Sequence, residues 1–309
     1  MNTKQMNLNS QPMKIKESTS RKIFHVINFI VLTAVSLTCI LPFLHVLAVS
    51  LSNNSDALAG RVTFWPIGFT TYAYEYLVGK GEFFKSVGVS AMRLLLGIPI
   101  NMLLIILSAY PMSKENREFK ARKFYIVYFF ITMFFSGGLI PTYMVIRNLK
   151  ILDTIWALVL PTAFNAWNMI LLMNFFRNIP KELEEAAFLD GAGYVMTLYK
   201  IYLPISKPSL ATIFLFTLIY HWNSWFDGIL YMNTPANYPL ASYLSTLIMS
   251  SSNKASANMT VEQLQQLMQV SDTTIRSAQI FLSMLPILII YPFLQRYFVK
   301  GIVVGSVKG

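Results

Sequence analysis

The sequence has little charge and almost no cysteine. Charged residues make up 13% of its 309 residues, about half the share found in a typical soluble domain. A single cysteine, Cys39, excludes a disulfide framework and any metal site built from several thiolates. Because Cys39 lies inside an apolar run, it is predicted to be a small, buried packing residue.

Motifs for nucleotide binding and catalysis are also missing. No GxxxxGK[ST] phosphate-binding loop occurs, so any ATP must be bound by a partner chain. No HExxH metal-ligand spacing is present, and no Ser/His/Asp arrangement can be assembled. The chain is therefore predicted to carry no catalytic residue, no metal and no cofactor of its own, and a membrane enzyme is the least favoured class.

Apolar residues, by contrast, are abundant and come in long runs. They make up 55% of the chain, and the mean hydropathy is +0.51. A membrane-spanning helix needs about 20 mostly apolar residues, and six runs meet that length, at 23–49, 85–112, 123–146, 155–176, 207–231 and 277–297. The prediction is an all-α polytopic membrane protein with six transmembrane helices. Residues 1–22 form a polar tail, and 23–309 form the membrane domain, with a core of about 85–297.

The basic residues indicate how the chain lies in the membrane. The net charge is +11 and the pI about 9.6, but the Lys and Arg residues cluster between apolar runs instead of forming one stripe for nucleic acid. With the N-terminus inside, 17 of them fall in cytoplasmic segments and 7 outside. This bias predicts that both termini are cytoplasmic. Residues 50–84 and 232–276 then form long outer loops.

One cytoplasmic connector is unusual, because it is acidic and alanine-rich: residues 184–193 read EEAAFLDGAG. Asn178 is predicted to cap a helix with Pro180 in its first turn, and Gly191 to end it. A second short helix is expected over 194–200, so that the pair lies along the membrane surface. The exposed face of this helix pair is predicted to contact either another protein or lipid headgroups. Docking is favoured, since interfacial helices carry Lys and Arg on their polar face.

The spacing Glu185-Ala186-Ala187, then Gly191, then Leu203-Pro204 resembles the EAA signature of importer-type ABC transporter permeases. The stretches MNFFRNIPKELEEAA, HWNSWFD and QRYFVKGIVVGSVKG are similar to the carbohydrate-importing branch, and the resemblance runs from about residue 85 to the end. It implies that the connector is a coupling helix inserted into an ATPase subunit. The coupling residues would be Glu184, Glu185, Ala186, Ala187, Asp190, Gly191, Leu203 and Pro204.

The same resemblance implies an assembly in a bacterial plasma membrane. Its other members would be a second homologous permease subunit, two ATPase subunits that bind ATP and Mg, and an extracellular solute-binding lipoprotein. The substrate would be a carbohydrate, specifically an oligosaccharide. By resemblance, loop 232–276 would reach the binding protein, and the C-terminal VGSVKG would contact the ATPases. Lipid is the expected surrounding, and no nucleic-acid partner is expected.

Polar residues inside the spans are candidates for the substrate path, because buried polar groups in a membrane are costly and often functional. They are Asn165, Asn168, Tyr220, His221, Trp222, Asn223, Trp225 and Asp227. Sugars need aromatic faces for stacking and amides for hydrogen bonds, which these residues offer. Helix packing explains the amides and rings equally well, and a pairing of Asp227 with Arg93 is a further alternative.

A stand-alone secondary transporter or channel is the rival class. Such carriers tend to have internal repeats and ionisable groups at the membrane midplane. Here no repeat is visible and a single carboxylate, Asp227, lies in the outer half of a span. An ATP-driven importer subunit is therefore the favoured interpretation.

Overall fold

A computed structural model of the chain describes residues 18–79, 81–251 and 272–306. The regular elements within these ranges are all helices. They are α1 (Thr19–Ser50), α2 (Asn54–Leu58), α3 (Tyr72–Val78), α4 (Gly81–Ser113), α5 (Arg122–Phe134), α6 (Leu139–Asn148), α7 (Ile155–Val159), α8 (Ala166–Arg177) and α9 (Lys181–Leu189). There follow α10 (Tyr194–Thr197), a π turn (Leu198–Tyr202), α11 (Leu203–Ile205), α12 (Lys207–Asn223), α13 (Phe226–Tyr231), α14 (Leu240–Ser251) and α15 (Asp272–Ser306).

Three helices, α1, α4 and α15, are long and apolar enough to cross a membrane unbroken. Three more candidates are bent pairs: α5 with α6, α7 with α8, and α10–α11 with α12. Counting each pair as one crossing gives up to six spans. The predicted runs at 23–49, 85–112 and 277–297 lie within the unbroken helices, each of which extends beyond the run at both ends.

The run at 123–146, predicted as one helix, is two helices that meet at 114°. The sequence between them is Phe135-Ser136-Gly137-Gly138, and Gly138 has φ +86°, a backbone conformation that glycine adopts without strain. Pro141 then falls in the first turn of α6, where its missing N–H costs no hydrogen bond. The proline therefore helps to begin a new helix and does not interrupt an existing one.

The two following runs are also broken. Within 155–176, Pro161 lies in a 3₁₀ turn after α7, and the chain bends by 49° before α8. The run at 207–231 was predicted as one helix, but α12 ends at Asn223 and α13 begins at Phe226. Ser224 has an extended backbone (ψ 111°), which ends the helix because it stops the i to i−4 hydrogen bonding.

The centre of the bundle is α4, which packs against α8, α12, α14 and α7. Ile105 of α4, Leu172 of α8 and Ile213 of α12 are fully buried where these three helices meet. Close packing of this kind drives helix association inside a bilayer, because lipid tails are as apolar as the side chains themselves. The candidate site residues are held on this scaffold.

The prediction that Cys39 is buried was wrong, because the side chain is exposed on α1. The apolar window of α1 has no buried residue within the chain, although the helix packs against α15. Its outward surface is made of side chains such as Phe29, Leu37 and Phe43. An apolar surface of this size belongs against lipid or another membrane subunit.

The outer loop predicted at 232–276 is partly helical. Its first part contains a 3₁₀ turn at Pro235–Asn237 and α14, and α15 already begins at Asp272. The carboxylate of Asp153 anchors the start of this loop by accepting hydrogen bonds from the backbone N–H groups of Asn233 (3.1 Å) and Thr234 (3.2 Å). These hydrogen bonds, chiefly that from the Thr234 hydroxyl, lower the pKa of Asp153. The remainder of the loop, like the tail before residue 18 and after residue 306, lies outside the described residues.

Candidate functional site

The acidic connector folds as helix α9, but it begins differently from the prediction. Asn178 is the C-terminal cap of α8 and does not cap α9. Its N–H lies 3.1 Å from the carbonyl oxygen of Phe175, which keeps it in the last turn of α8. Pro180 precedes the new helix with an extended ψ of 131°, so α9 starts at Lys181. Glu182 and Glu184 lie in its first turn, where the helix dipole favours carboxylates.

Gly191 ends α9 in a Schellman motif. The N–H of Gly191 donates to the carbonyl of Phe188 (3.0 Å), and the N–H of Ala192 donates to that of Ala187 (2.9 Å). This pattern requires a left-handed residue at Gly191, whose φ is +81°. The glycine predicted to end the helix does so for this reason, and it fixes the direction in which α10 leaves.

The two adjacent glutamates of the EAA segment differ in exposure, because neighbouring residues of a helix project about 100° apart. Glu184 is 8% exposed, whereas Glu185 and Ala186 are exposed. Leu189, one turn further along, is 89% exposed. The exposed face of α9 therefore presents the carboxylates of Glu182 and Glu185, a small alanine surface and a protruding leucine. Ala187 is half-buried on the other side.

The buried Glu184 is held in a polar cluster at the end of α4. Its carboxylate is ion-paired with the ammonium of Lys114, which is 7% exposed, and accepts a hydrogen bond from the hydroxyl of Tyr202 (2.6 Å). Lys114 also donates to the Tyr202 hydroxyl (3.0 Å) and lies 4.2 Å from the ring centres of Tyr110 and Tyr202. Burial lowers the pKa of Lys114, while the hydrogen bond to Glu184 raises it.

A second, exposed contact ties the start of α9 to the same loop. The ammonium of Lys181 pairs with the carboxylate of Glu115, which also contacts Arg117. The hydrogen bond from Lys181 and the charge of Arg117 lower the pKa of Glu115. Together with the buried cluster, this contact attaches α9 to the C-terminal end of α4 at two points.

The second half of the connector joins α9 to a long helix. The predicted short helix at 194–200 continues through a π turn into α11, and the chain bends by 82° before α12. Leu203 is half-buried against the core shared by α4, α8 and α12, and Pro204 is exposed. The connector therefore runs nearly perpendicular to α12, as expected for a segment lying along the membrane surface.

Asn165 and Asn168 do not lie midway through an unbroken helix as predicted. Asn165 is the N-cap of α8, and its side chain accepts a hydrogen bond from the N–H of Asn168 (3.0 Å). Asn165 is exposed and Asn168 is buried. The break after Pro161 creates free N–H groups, which explains why an asparagine stands at this position.

The alternative pairing of Asp227 with Arg93 is present. Arg93 is fully buried, and its guanidinium makes a two-point ion pair with the Asp227 carboxylate. It also donates to Nδ1 of His221 (3.3 Å) and to the carbonyl of Ser224 (3.3 Å). Arg93 therefore bonds the carbonyl freed where α12 ends, and Asp227 supplies the negative charge at the start of α13. His221 and Asp227 stabilise a helix break.

The other substrate-path candidates around the end of α12 differ in how far their side chains are exposed. Trp222 is buried and donates from its indole N–H to the carbonyl of Ser283 (2.8 Å), whereas Tyr220, Asn223 and Trp225 are exposed. A cavity of about 370 Å³ beside them is lined by Trp222, Asn223, Trp225 and residues of α14 and α15. Among the described residues, no hydrogen bond joins this group to Asn165 or Asn168.

Sequence reasoning missed the roles of two residues. From the sequence, Lys114 was counted only among the basic residues that indicate topology. A lysine directly after an apolar run can nevertheless form an ion pair with a glutamate of the acidic connector. Gln279 lines the cavity of α14 and α15, and neither polar atom of its buried amide has a hydrogen-bond partner among the described residues. No sequence signal distinguishes Gln279 from other polar residues of the predicted run.

Up to six helical crossings, with a helix–turn–helix connector ahead of α12, define a polytopic membrane protein. The chain belongs to the family of binding-protein-dependent transport system inner membrane components, which matches residues 65–304. It is therefore a transporter component, and the stand-alone carrier is set aside.

Relatives match nearly the whole chain. The polygalacturonan/rhamnogalacturonan transport system permease protein YtcP of Bacillus subtilis (strain 168) is 37% identical over 93% of this chain and 99% of its own length. Protein LplC of the same organism is 38% identical over 93% of this chain and 96% of its own length. A solved bacterial ABC transporter involved in the import of the acidic polysaccharide alginate contains a chain with 30% identity and a TM-score of 0.78. The match covers 91% of this chain and 99% of that one.

Proposed function

We propose that this chain is a permease subunit of an ATP-driven importer that moves an oligosaccharide across a bacterial plasma membrane. The family supplies the transport class. Two of the similar proteins belong to systems for polysaccharides: YtcP to a polygalacturonan/rhamnogalacturonan transport system, and the solved transporter to the import of the acidic polysaccharide alginate. ATP and Mg are bound by two partner ATPase subunits. A second, homologous permease and an extracellular binding protein complete the assembly, and both termini of this chain lie in the cytoplasm.

The observation that carries the coupling role is the exposed face of α9. Glu185 and Ala186 are exposed there, while the neighbouring Glu184 is buried and paired. A helix that is anchored through its buried side and has small side chains on its exposed side can enter a cleft of another protein without steric clashes. In this proposal Glu185 pairs with a basic group of the ATPase, and Ala186 permits close contact.

Movement then passes from α9 to the bundle. Closure of the ATPases on ATP shifts α9, which is attached at Lys114 and Glu115 to the end of α4. Because α4 packs against α8 and α12 at the centre of the bundle, its displacement switches the chain between inward-facing and outward-facing states. Asp190 and Gly191 keep the angle between α9 and α10, and Leu203 and Pro204 join the connector to α12. Tyr220, Asn223 and Trp225 are exposed for contact with sugar.

The substitution Glu185→Lys tests the coupling role. Reversing the charge at the docking face should abolish sugar-stimulated ATP hydrolysis by the reconstituted complex, because a charge-assisted contact becomes a repulsion. Glu118→Lys is the matched control, since Glu118 is also exposed and lies on the neighbouring connector, outside α9. The measurement is ATPase activity with and without substrate-loaded binding protein.

Unchanged stimulation in Glu185→Lys would remove α9 from the coupling role. Uptake of labelled oligosaccharide by wild-type vesicles, driven by an ion gradient and independent of ATP, would contradict the importer class itself. The experiments therefore distinguish a failure of the coupling role from a failure of the importer class.

A further inference from the structure

A basic cavity of about 520 Å³ lies where the cytoplasmic connectors meet the helix ends. It is formed by the end of α4 and the loop after it, the start of α5, the end of α8 and the start of α9. Its lining consists of Ser113, Lys114, Glu115, Asn116, Arg117, Arg122, Arg177 and Lys181. Four separate segments thus enclose one concave site, in which the coupling role leaves Arg122 and Arg177 unassigned.

The charges in this cavity do not cancel. Five of the lining residues are cationic. Lys114 is paired with Glu184, while Arg117 and Lys181 share the single carboxylate of Glu115. The two remaining guanidiniums, of Arg122 and Arg177, have no carboxylate partner among the described residues. An excess of positive charge in a concave site favours an anionic ligand.

The guanidinium of Arg122 is held in place with donors to spare. Its Nε donates to the carbonyl of Met112 (2.8 Å) and one Nη to the side-chain oxygen of Asn116 (3.3 Å). An arginine has five N–H donors, so three remain free of protein acceptors among the described residues. The charge of Arg177 lies close enough to act unfavourably on that of Arg122. An anion between them would relieve this repulsion and accept the free donors.

The surroundings place the cavity at the edge of the membrane. Phe124 and Tyr128, just beyond Arg122, are 70% and 55% exposed, and α5 buries no residue within the chain. Tyr125 stacks on Phe119 at the same level. Exposed aromatic rings of this kind occupy the headgroup region of a bilayer. An anion at this depth is most readily supplied by the inner-leaflet lipid.

We propose that this cavity binds the phosphate of an anionic phospholipid headgroup, held between Arg122 and Arg177. Basic pockets between membrane helices on the cytoplasmic side recognise anionic headgroups in this way. The bound phosphate bridges the start of α5 and the end of α8, and it lies beside the Glu115–Lys181 contact that fixes α9. Lipid composition can thereby influence how firmly the connector is held.

The test is lipid retention by the purified intact transporter. The complex is incubated with mixed vesicles of equal phosphatidylglycerol and phosphatidylcholine, re-purified in detergent, and its bound lipid is quantified by mass spectrometry. The wild type should retain phosphatidylglycerol selectively. Arg177→Gln should reduce that retention about fivefold, the effect of losing one interfacial cation worth about 1 kcal/mol.

Lys123→Gln is the matched control. Lys123 is the neighbour of Arg122 at the same depth, but it is exposed outside the cavity. Equal losses in Arg177→Gln and Lys123→Gln would show only non-specific surface attraction and would overturn the proposal. Retention that inorganic phosphate displaces fully at low concentration would assign the site to free phosphate instead.

A third outcome would identify a protein occupant. If Arg177→Gln leaves phosphatidylglycerol retention unchanged but lowers the amount of ATPase subunit that co-purifies, the cavity receives an acidic group of the ATPase and the lipid proposal is wrong. None of these measurements requires transport activity, so they stand apart from the coupling test.

Discussion

Two glycines show how closely the helices approach one another. A methyl group built at Gly228 would lie 2.1 Å from the hydroxyl oxygen of Ser242 and 2.8 Å from Cδ of Pro239. One built at Gly97 would lie 2.8 Å from Nε2 of His221. At both positions a side chain larger than that of glycine would clash with the neighbouring helix or loop. Small residues of this kind let membrane helices pack closely.

Gly228→Ala should destabilise the protein by about 1–3 kcal/mol, the usual cost of overpacking. The added methyl would displace Ser242, whose hydroxyl donates to the carbonyl of Trp225 (2.7 Å) at the start of α13. The measurement is the midpoint of thermal unfolding of the purified complex. The largest loss of order is expected around α13 and α14.

Gly88→Ala provides the control, because a methyl group there meets no atom within 4 Å. Gly88 lies inside α4, so alanine should leave stability unchanged or raise it by up to about 1 kcal/mol through helix propensity. If both variants unfold at the wild-type midpoint, α13 and α14 do not pack as described.

Local sequence could predict some of these residue roles and not others. The helix-ending role of Gly191 was predictable, since a glycine after a helical run is a common C-terminal signal. The different exposures of Glu184 and Glu185 were not, because which side of α9 faces inward depends on Lys114 and Tyr202, which are distant in the sequence. The pairing of Arg93 with Asp227 was foreseeable only as an alternative, from the scarcity of charges in the spans.

At the scale of elements, α9 is attached to α4 through one buried ion pair. Lys114 and Glu184 are both less than a tenth exposed, and Tyr202 bonds to each of them. Removing one charge of a buried pair leaves the other uncompensated, which typically costs about 3–5 kcal/mol. In the proposed coupling role, this pair would transmit a displacement of α9 to the bundle.

Glu184→Lys alone should lower the unfolding midpoint and weaken sugar-stimulated ATP hydrolysis, because two ammonium groups would then share one small site. The double variant Lys114→Glu with Glu184→Lys should recover most of both properties, since it restores opposite charges at the same positions. The measurement is a double-mutant cycle on stability and on stimulated ATPase activity. Additive effects in the double variant would contradict a direct coupling between α9 and α4 through this pair.

The number of apolar runs was readable from the sequence, but the bends within them were not. Hydropathy averages over about 20 residues, so it detects a run and overlooks a turn of four residues such as Phe135–Gly138. The end of α12 at Asn223 depends on Arg93, which lies in α4 and bonds the Ser224 carbonyl. Tertiary contacts of this kind override a local pattern that favours one continuous helix.

Across the whole molecule, exposed apolar surface is unevenly distributed. α1 contacts the bundle at α15, and α5 and α6 bury only Ile146 within the chain. Such faces are too apolar for water, and in the proposed importer they lie against lipid or the second permease subunit. The connector also has exposed apolar residues, including Val195 at 81% and Tyr199 at 72%, and in the proposed importer this surface faces the ATPases.

The proposed orientation can be tested with the single native cysteine removed. In a Cys39→Ser background, Lys200→Cys lies on the exposed connector and Asn233→Cys on the loop anchored by Asp153. Because the basic clusters place the connector in the cytoplasm, a membrane-impermeant maleimide should label Asn233→Cys in intact cells. Lys200→Cys should react only in inside-out vesicles. Labelling of Lys200→Cys in intact cells would reverse the topology and place α9 out of reach of any cytoplasmic ATPase, so the same result would also remove the physical basis for coupling through Glu185.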